Sequence, residues 1–297
     1  MITLIVPTHN RAYALVQVLD TFYTQKFLSE IIFVDDCSTD NTQKVIEEFK
    51  RKYTGVHTTY LRNEKKSGAS FSRARGVENC KTDYILFCDD DEFLEGNYTE
   101  VCLRKLQNKE ADIVSGRHFY RLVGEDIKEA IARFGYGLTR TNVFGGIRYK
   151  LYTDAWFKGD VELPFTHGIF MTTKSLLEKY KIDPYYAKGN GFREESDFQM
   201  NAFLNGHKII MSNETHCVHM NMKEVRTGGQ RVNRLKRYWY NVFYTAYFLK
   251  KYFSGIKVKL GHRYSFGVAI SLYALAEFFD FFIRPFLILP RRLLSRE

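Results

Sequence analysis

Four consecutive acids, Asp89-Asp90-Asp91-Glu92, directly follow an apolar run, residues 84–88, that is typical of a buried strand. Two like charges ~4 Å apart repel by roughly 1 kcal/mol in water and by more near a protein surface, so the cluster requires a counter-charge. Mg²⁺ and Mn²⁺ prefer oxygen ligands, and Mg²⁺ commonly binds one or two carboxylates together with a substrate phosphate. The stretch therefore predicts a metal and phosphate site. The alternative is an acidic turn that caps the following helix.

The elements that must position these acids alternate along the first 90 residues. Apolar runs at 2–6, 31–34, 58–61 and 84–88 predict strands, and residues 12–24, 42–53 and 70–80 have helical spacing of apolar side chains. This alternation favours a parallel sheet with helices on both faces, in which ligands bind beyond the carboxyl ends of the strands. Thr8, Asp35, Asp36 and the acids at 89–91 all fall at those ends.

Composition bounds the class of protein. The chain has 297 residues, 45% of them hydrophobic, which is enough for one large core with an appended C-terminal part. Five scattered cysteines without a CxxC pair predict reduced thiols in a cytoplasmic protein. The N-terminus has no secretory-signal pattern, because Met1 leads directly into a strand-like run.

The net charge of +10 is concentrated in one segment, since residues 223–263 contain eleven lysines and arginines and one acid, Glu224. Such a local excess indicates an anionic partner. Nucleic acid, a phosphate-bearing substrate and an anionic membrane all fit this charge.

Four ordered motifs carry a specific resemblance. The chain resembles the family-two glycosyltransferases over about residues 1–220, through the runs IVPTHNRA, IIFVDDCSTDNT, GASFSRARGVENCKTDYILFCDDDEF and GFREESDFQMNAFLNGHKI. These are inverting sugar-nucleotide enzymes of the GT-A fold. The resemblance implies an α/β protein with a Rossmann-like mixed sheet, a nucleotide-sugar donor, usually a UDP-sugar, and Mn²⁺ or Mg²⁺ as cofactor.

The resemblance also implies which residues bind the donor. Pro7 and Thr8 match the loop that touches the nucleoside, and Asp36 matches the residue that accepts a hydrogen bond from uracil; the alternative is that Asp35 or Asp36 caps the next helix. Arg73 matches a basic residue near the phosphates, although Ala74 replaces the asparagine that normally follows it, and a solvated helix arginine is the alternative. The full nucleotide-binding prediction is Pro7, Thr8, Asn10, Arg11, Asp36, Arg73, Asp89 and Asp90.

In the same alignment Asp91 is the direct metal ligand, and Asp89 contacts the ribose or the metal shell. His219 is the predicted histidine near the metal or diphosphate; in a strand it faces away from His216. His167 and Gly168 match residues that line the donor-sugar pocket, with a buried core histidine as the alternative.

The predicted general base is Glu195, which stands where the family usually has aspartate, and Glu194 is the alternate. Acids in the first turn of a helix also have a simpler explanation, because they complement the helix dipole. As a base, Glu195 would take the proton of an acceptor hydroxyl as that oxygen attacks the anomeric carbon with inversion.

The C-terminal part, residues 223–297, is predicted to be a helical, basic, amphipathic extension of a catalytic domain that spans 1–222. Within that domain the donor half is about 1–116 and the acceptor half 117–222. A glycine-containing loop at 227–231 resembles a flexible loop of related enzymes that orders on nucleotide binding, and the resemblance predicts that Arg231 lies at the donor or acceptor pocket. Residues 266–289 are mostly apolar but contain Glu277 and Asp280, so an interfacial helix is favoured over a membrane span. Packing on protein is the alternative.

The resulting hypothesis is an inverting glycosyltransferase that acts at the cytoplasmic face of the cell membrane on a glycan or lipid-linked acceptor in cell-surface polysaccharide or glycolipid synthesis. We expect an anionic membrane surface as partner, no nucleic acid, and a homo-oligomer as one option. A sugar-nucleotide-forming nucleotidyltransferase is less consistent, because the loop after the first strand, residues 7–11, has no glycine. A non-enzymatic nucleic-acid-binding protein leaves the acids at 89–92 unexplained.

Overall fold

The computed structural model describes residues 1–136, 143–146, 148–152, 157–228 and 232–287. Its strands are β1 Ile2–Thr8, β2 Leu28–Asp35, β3 His57–Arg62, β4 Tyr84–Phe87, β5 Glu92–Leu94, β6 Ile113–Tyr120, β7 Phe144–Gly145, β8 Lys150–Leu151, β9 Asp160–Glu162, β10 Met171–Thr173 and β11 Ile209–His219.

The helices are α1 Ala12–Tyr23, α2 Thr42–Lys52, α3 Ala69–Asn79, α4 Tyr98–Gln107, α5 Ile127–Tyr136, α6 Lys174–Tyr180, α7 Glu194–Leu204, α8 Arg234–Lys259 and α9 Phe266–Phe278. A 3₁₀ turn, Pro184–Lys188, precedes α7, and a π-helical turn, Phe279–Ile283, continues α9. The predicted helices and strands of the first 90 residues are confirmed to within two residues at each end, except that β2 begins at Leu28 rather than at residue 31.

Nine strands form one mixed sheet, in the order β3-β2-β1-β4-β10-β6-β11-β5, with β9 paired to β11. The strands β3, β2, β1 and β4 run parallel, as their alternation with helices predicts. The strand β10 is antiparallel to both of its neighbours, and β5 is antiparallel to β11. The predicted Rossmann-like mixed sheet is therefore confirmed, and β1, β2 and β4 all end at one edge.

One predicted strand is much shorter than expected. The sequence pattern of residues 164–172 predicts a strand over the whole stretch, but pairing begins only at Met171. The backbone N–H of Thr166 donates to Oε1 of Gln199 at 2.7 Å, so that it is satisfied by a side chain of α7 rather than by a neighbouring strand. The residues before β10 thereby turn toward α7.

Two hydrophobic clusters cover the two faces of the sheet. On one face α1 buries Leu15, Val18, Leu19 and Phe22, the residues that its helical spacing predicts. On the other face α6 and α7 pack against β1, β4 and β6. Together these layers hold the carboxyl ends of β1, β2 and β4 in fixed register, with Thr8 directly opposite Asp35.

Neither Asp35 nor Asp36 caps α2, so that interpretation is wrong. The N-cap residue is Asn41, and the carboxylate of Asp40, directly before it, accepts hydrogen bonds from the N–H and hydroxyl of Thr42 at 3.0 and 2.6 Å. Asp35 is fully buried and instead accepts from the N–H of Ser38 and the guanidinium of Arg62.

The C-terminal helices pack directly on α7. Helices α8 and α9 share a hydrophobic cluster with Met200 of α7 and Phe165. In the same interface the buried carboxylate of Asp197 on α7 accepts from Nζ of Lys251 at 2.7 Å and from the hydroxyls of Tyr186 and Tyr252 at 2.8 and 3.1 Å. One face of the C-terminal extension therefore packs on the sheet-containing part of the chain. The division into two domains at residue 222 stays a prediction.

We predict that Lys251→Ala lowers the free energy of unfolding by about 3 kcal/mol, because it leaves the carboxylate of Asp197 buried without its cation. Urea denaturation followed by circular dichroism measures the change. The matched control is Lys250→Ala, the exposed neighbour on the same helix, for which we expect a change within about 0.5 kcal/mol. Equal midpoints for the two variants would contradict the assignment.

Candidate active site

A cavity of about 760 Å³ opens at the carboxyl edge of the sheet. Its walls come from the ends of β1, β2 and β4, the start of α7, the end of β11 and the first turns of α8. The cavity is lined by every predicted site residue that the structure describes: Pro7, Thr8, Asn10, Arg11, Asp36, Arg73, Asp89, Asp90, Asp91, His167, Gly168, Glu194, Glu195 and His219. The remaining predicted residue, Arg231, lies outside the described residues.

Arg11 supplies the counter-charge for two of the acids after β4. Its Nη1 donates to Oδ2 of Asp91 at 2.9 Å, and its Nε lies 3.6 Å from Oδ1 of Asp90. All three side chains are buried. Burial raises the pKa of Asp90 to about 7 despite the attraction of Arg11, and the neighbouring charge of Asp91 adds to the rise. The acidic stretch is thus only partly neutralised by the protein itself.

Arg73 on α3 joins the acidic stretch to the start of α7. One guanidinium nitrogen donates to Glu194 and another to Asp89, each at 2.5 Å. Burial raises the pKa of Glu194 to about 7, and Arg73 opposes this rise. Arg73 is therefore not a solvated helix arginine, and its charge holds carboxylates from two distant segments on one side of the cavity.

The pairing with Arg73 distinguishes the two candidate bases. Glu194 is buried and hydrogen bonded to a guanidinium, so it is poorly placed to accept a proton from a substrate. Glu195 is half-buried and lines the cavity. Burial raises the pKa of Glu195 above its usual range, which strengthens it as a base at neutral pH.

Three side chains form a cradle that fits a metal ion. Ligand atoms of Asp91, Glu92 and His219 all lie within 4.8 Å of one another. Nδ1 of His219 lies 2.6 Å from the carbonyl oxygen of Met220, so it donates there as N–H and leaves Nε2 as an acceptor on the side of Asp91, 3.7 Å away. A backbone partner of this kind fixes the tautomer of many metal-binding histidines.

Glu92 was not predicted as a ligand, although it belongs to the acidic stretch. It is 1% exposed, and its Oε2 has no hydrogen-bond partner among the described residues, while Oε1 lies 3.0 Å from Nε2 of His118. A buried carboxylate oxygen without a donor is costly unless a cation binds it. Asp89, which was predicted to contact the metal or ribose, does not belong to this cradle and pairs with Arg73.

Gly168 lies where several functional groups converge. A Cβ atom built on this glycine would be 3.8 Å from Nη2 of Arg73, 3.9 Å from Oδ2 of Asp89 and 3.9 Å from Cγ of Glu195. The absence of a side chain here leaves space between the predicted base and the acidic stretch.

His167 is held by backbone groups. Its Nε2 lies 2.9 Å from the carbonyl oxygen of Gly116, and its Nδ1 accepts from the N–H of Ile169 at 3.2 Å. Burial lowers the pKa of His167 to about 3, so it stays neutral. It has the hydrogen bonding of a buried structural histidine and lines the cavity as well.

The nucleotide end of the cavity is built around Asp36. Its carboxylate accepts from Asn63 at 2.8 Å and from the backbone N–H groups of Ser67 and Gly68 at 2.7 and 2.8 Å. Gly68 has φ +86°, a conformation that glycine adopts readily. Asp36 thus shapes the loop before α3 and faces the cavity; its predicted contact with a base stays a prediction.

Helix α8 provides a wall of the cavity that sequence reasoning missed. Lys236 and Tyr240 lie four residues apart, on one side of the helix, and both line the cavity. Their spacing within a basic helix was visible in the sequence, but the direction they face depends on how α8 packs on α7. His118 and Tyr120 of β6 also line the cavity and were not predicted.

Comparisons with known proteins agree with this geometry. The model of the glycosyl transferase family 2 matches residues 3–181, more than half of the chain; the matched region ends before the Glu194–Glu195 motif. The glycosyltransferase GlyG of Streptococcus pneumoniae is 32% identical over 120 residues, or 40% of this chain and 39% of its own length. The chain thus spans about two fifths of that relative.

A poly(ribitol-phosphate) β-N-acetylglucosaminyltransferase, TarP of Staphylococcus aureus, is 25% identical over 87% of this chain and 83% of its own. Among solved structures, S. aureus TarS 1–349 in complex with UDP-GlcNAc has a TM-score of 0.60 at 16% identity, with 94% of this chain and 73% of that chain covered.

The mannosyltransferase PcManGT of Pyrobaculum calidifontis, in complex with GDP-Man and Mn²⁺, also has a TM-score of 0.60 at 16% identity, with 99% and 79% covered. The predicted GT-A fold is confirmed by these likenesses. The chain belongs to glycosyl transferase family 2.

Proposed function

We propose that the protein transfers a sugar from a nucleotide-diphosphate donor, in the first instance a UDP-sugar, to a hydroxyl of a glycan or lipid-linked acceptor, with inversion at the anomeric carbon. The observation that carries the proposal is the convergence at Gly168 of the predicted base, Glu195, with Asp89 and Arg73. TarS 1–349 was solved with UDP-GlcNAc and PcManGT with GDP-Man, which supports a nucleotide-sugar donor of one of these two types.

In this proposal Glu195 accepts the proton of the acceptor hydroxyl while the oxygen forms a bond to the anomeric carbon. The bond between that carbon and the diphosphate oxygen breaks at the same time, and its electron pair leaves with the nucleotide diphosphate. Base catalysis of this kind contributes typically 10²–10⁴-fold. Arg73 holds Glu194 and Asp89 and so keeps the wall beside Glu195 in position.

Asp91, Glu92 and His219 are the residues that would hold Mn²⁺ or Mg²⁺. The bound cation supplies charge neutralisation for the diphosphate as it leaves. Carboxylate ligands suit both ions, and the histidine favours Mn²⁺. Arg11, now paired with Asp91, lies close enough to share that charge.

The acceptor side of the cavity is basic and aromatic. Lys236 and Tyr240 lie on it, and the ammonium group of Lys236 is 5.7 Å from the centre of the Tyr240 ring. An amine beside an aromatic face suits an acceptor with sugar or polyol units and phosphate. TarP is named for poly(ribitol-phosphate), which has this chemistry. The reaction belongs to cell-surface polymer or glycolipid synthesis on the cytoplasmic side in this proposal.

We predict that Glu195→Gln lowers kcat for sugar transfer by about 10²–10⁴-fold, since the amide cannot accept the proton. Binding of UDP, measured by isothermal titration calorimetry, should change little. A preparation that retains full turnover would refute the role of Glu195. The matched control, Glu194→Gln, keeps Glu195 but weakens the ion pair between residue 194 and Arg73. Part of its effect should therefore be a lower melting temperature.

The pH profile of kcat should fall on the acidic side, because Glu195 must be ionised to act and its pKa is raised by burial. We expect the midpoint above the ordinary glutamate pKa of about 4.3. The measurement is the initial rate of the wild-type protein and of Glu195→Gln from about pH 4 to about pH 8, a range that includes the ordinary pKa values of glutamate and histidine. Persistence of the same acidic limb in the variant would assign it to another group.

We predict that Asp91→Asn weakens Mn²⁺ binding in the presence of UDP by at least about tenfold, a loss equal to about 1.4 kcal/mol. Calorimetry or electron paramagnetic resonance of Mn²⁺ measures the affinity without requiring turnover. Asp20→Asn, which removes an exposed carboxylate of α1 outside the cavity, is the control and should bind Mn²⁺ normally. Equal affinities for all three proteins would reject the metal cradle.

We predict that Gly168→Val lowers kcat/KM for the nucleotide sugar by about 10–100-fold, roughly 1.4–2.7 kcal/mol, because the branched side chain enters the space between Asp89 and Glu195. Affinity for UDP without a sugar should be nearly unchanged. Gly96→Val is the control, since a Cβ there meets no atom within 4 Å. If UDP affinity falls as much as kcat/KM, the space does not belong to the sugar.

A further inference from the structure

The helix that begins at Phe266 has an exposed apolar stripe. Val268, Leu272, Leu275, Phe279, Ile283 and Phe286 are 46, 38, 66, 42, 41 and 68% exposed, and they recur every three or four residues. Residues at this spacing share one face of a helix, and the stripe is roughly 27 Å long at about 1.5 Å per residue. Apolar patches of this extent on a folded protein mark interaction sites.

The opposite face of this helix packs on the rest of the chain. Ala269, Tyr273 and Glu277 are buried, and Glu277 accepts a hydrogen bond from Asn241 of α8 at 2.9 Å. Asp280 pairs with Arg148. Both acids of the segment 266–287 therefore face protein rather than the stripe, which removes the interruption that the sequence suggested.

A second stripe, on α8, adjoins the first. Leu235, Trp239 and Phe243 are 57, 60 and 53% exposed and lie four residues apart. Tyr238, between them in sequence, packs edge-on against Phe278 and Phe282, with ring centres 6.1 and 5.7 Å apart. The first half of α8 and the second half of the segment 266–287 thus present one continuous apolar surface.

Positive charges flank this surface at both ends. Lys257, Lys259 and Arg263 are exposed where α8 turns into α9, and Arg234 is exposed at the other end. Cations beside an apolar helix face suit an anionic bilayer, because the apolar side chains enter the interface while lysine and arginine meet the headgroups. An apolar face of a protein partner or a second copy would leave these cations without counter-charges.

The contacts of the inner face favour an orientation in the plane of the membrane. By length and composition alone, Phe266–Leu287 is able to cross a bilayer, with a mean hydropathy of 1.7 and 17% of it buried. A spanning orientation would carry the ion pair of Arg148 and Asp280 into the hydrocarbon, together with helix α7, which packs beside it. The energetic cost of burying these charges in lipid is high. With the helix parallel to the membrane plane, only its exposed apolar stripe enters the lipid.

We propose that the apolar surface formed by α8 and residues 266–287 docks in the plane of an anionic membrane. On α8, Lys236 and Tyr240 directly follow Leu235 and Trp239 in sequence, so the α8 wall of the cavity lies beside the apolar stripe. With the stripe in the membrane, this wall would lie next to the headgroups. If the proposed function holds, the acceptor is then a membrane-anchored molecule whose hydroxyl reaches the cavity from the lipid surface.

Co-sedimentation with vesicles tests the docking directly. Wild-type protein should bind vesicles of phosphatidylglycerol and phosphatidylcholine at least about tenfold more tightly than vesicles of phosphatidylcholine alone. The double variant Leu272→Asp/Leu275→Asp should lose at least about tenfold in binding to the anionic vesicles. Val16→Asp, at a residue 54% exposed on α1, is the matched control and should bind like wild type.

Tryptophan fluorescence tests the orientation. In a Trp156→Phe background, Trp239 is the single tryptophan, and its emission should shift to the blue and be quenched by brominated lipid on vesicle binding. Vesicle binding with Trp239 still in water would overturn the proposed surface. So would equal binding by the Asp variant, or wild-type protein that stays in the supernatant.

Two further measurements separate this proposal from others. Light scattering after gel filtration should give the same mass for wild type and the Asp variant; a dimer that the variant dissociates would identify a second copy as the occupant. Hydrolysis of a UDP-sugar without vesicles should be equal in both proteins. Vesicle binding without any hydrolysis would refute the proposed function and leave the docking supported.

Discussion

The site depends on the neutralisation of buried carboxylates by two arginines that come from different helices. Arg11, at the start of α1, pairs with Asp90 and Asp91, and Arg73 of α3 pairs with Asp89 and Glu194. A buried charge without a partner destabilises a fold by several kcal/mol, so the acids after β4 and those at the start of α7 exist together only because these cations lie between them. The same four ion pairs hold these segments around the cavity.

The neutralisation is incomplete, and the deficit has a chemical meaning. Asp90 has a pKa raised to about 7, and burial raises the pKa of Glu92 well above its usual range, which shows that protein donors alone do not stabilise all of the charge. Perturbed carboxylates in a cavity are typical of functional sites. A divalent cation at Asp91, Glu92 and His219, as proposed above, would remove this deficit.

Sequence reasoning predicted the first four strands and three helices, and with them the edge at which Thr8, Asp36 and the acids after β4 meet. It did so because strand alternation and apolar spacing are local properties. It did not predict that Arg11 pairs with Asp91, 80 residues away, nor that Glu92 faces His118. Such pairings depend on how strands are ordered in the sheet, and β10 enters that order between β4 and β6 only through tertiary packing.

Arg193 is one of the residues that couple the C-terminal helices to the proposed base. Arg193, directly before α7, has φ +74°, a left-handed conformation that costs a residue with a side chain roughly 1–2 kcal/mol. Its guanidinium donates to the carbonyl oxygen of Tyr149 and to Thr245 of α8, and it lies 5.7 Å from the ring centre of Tyr273 on α9. These contacts stabilise the strained turn from which Glu195 enters the cavity. Helices α8 and α9 also form the apolar surface. A shift of these helices at a membrane would therefore change the contacts of Arg193 at the start of α7.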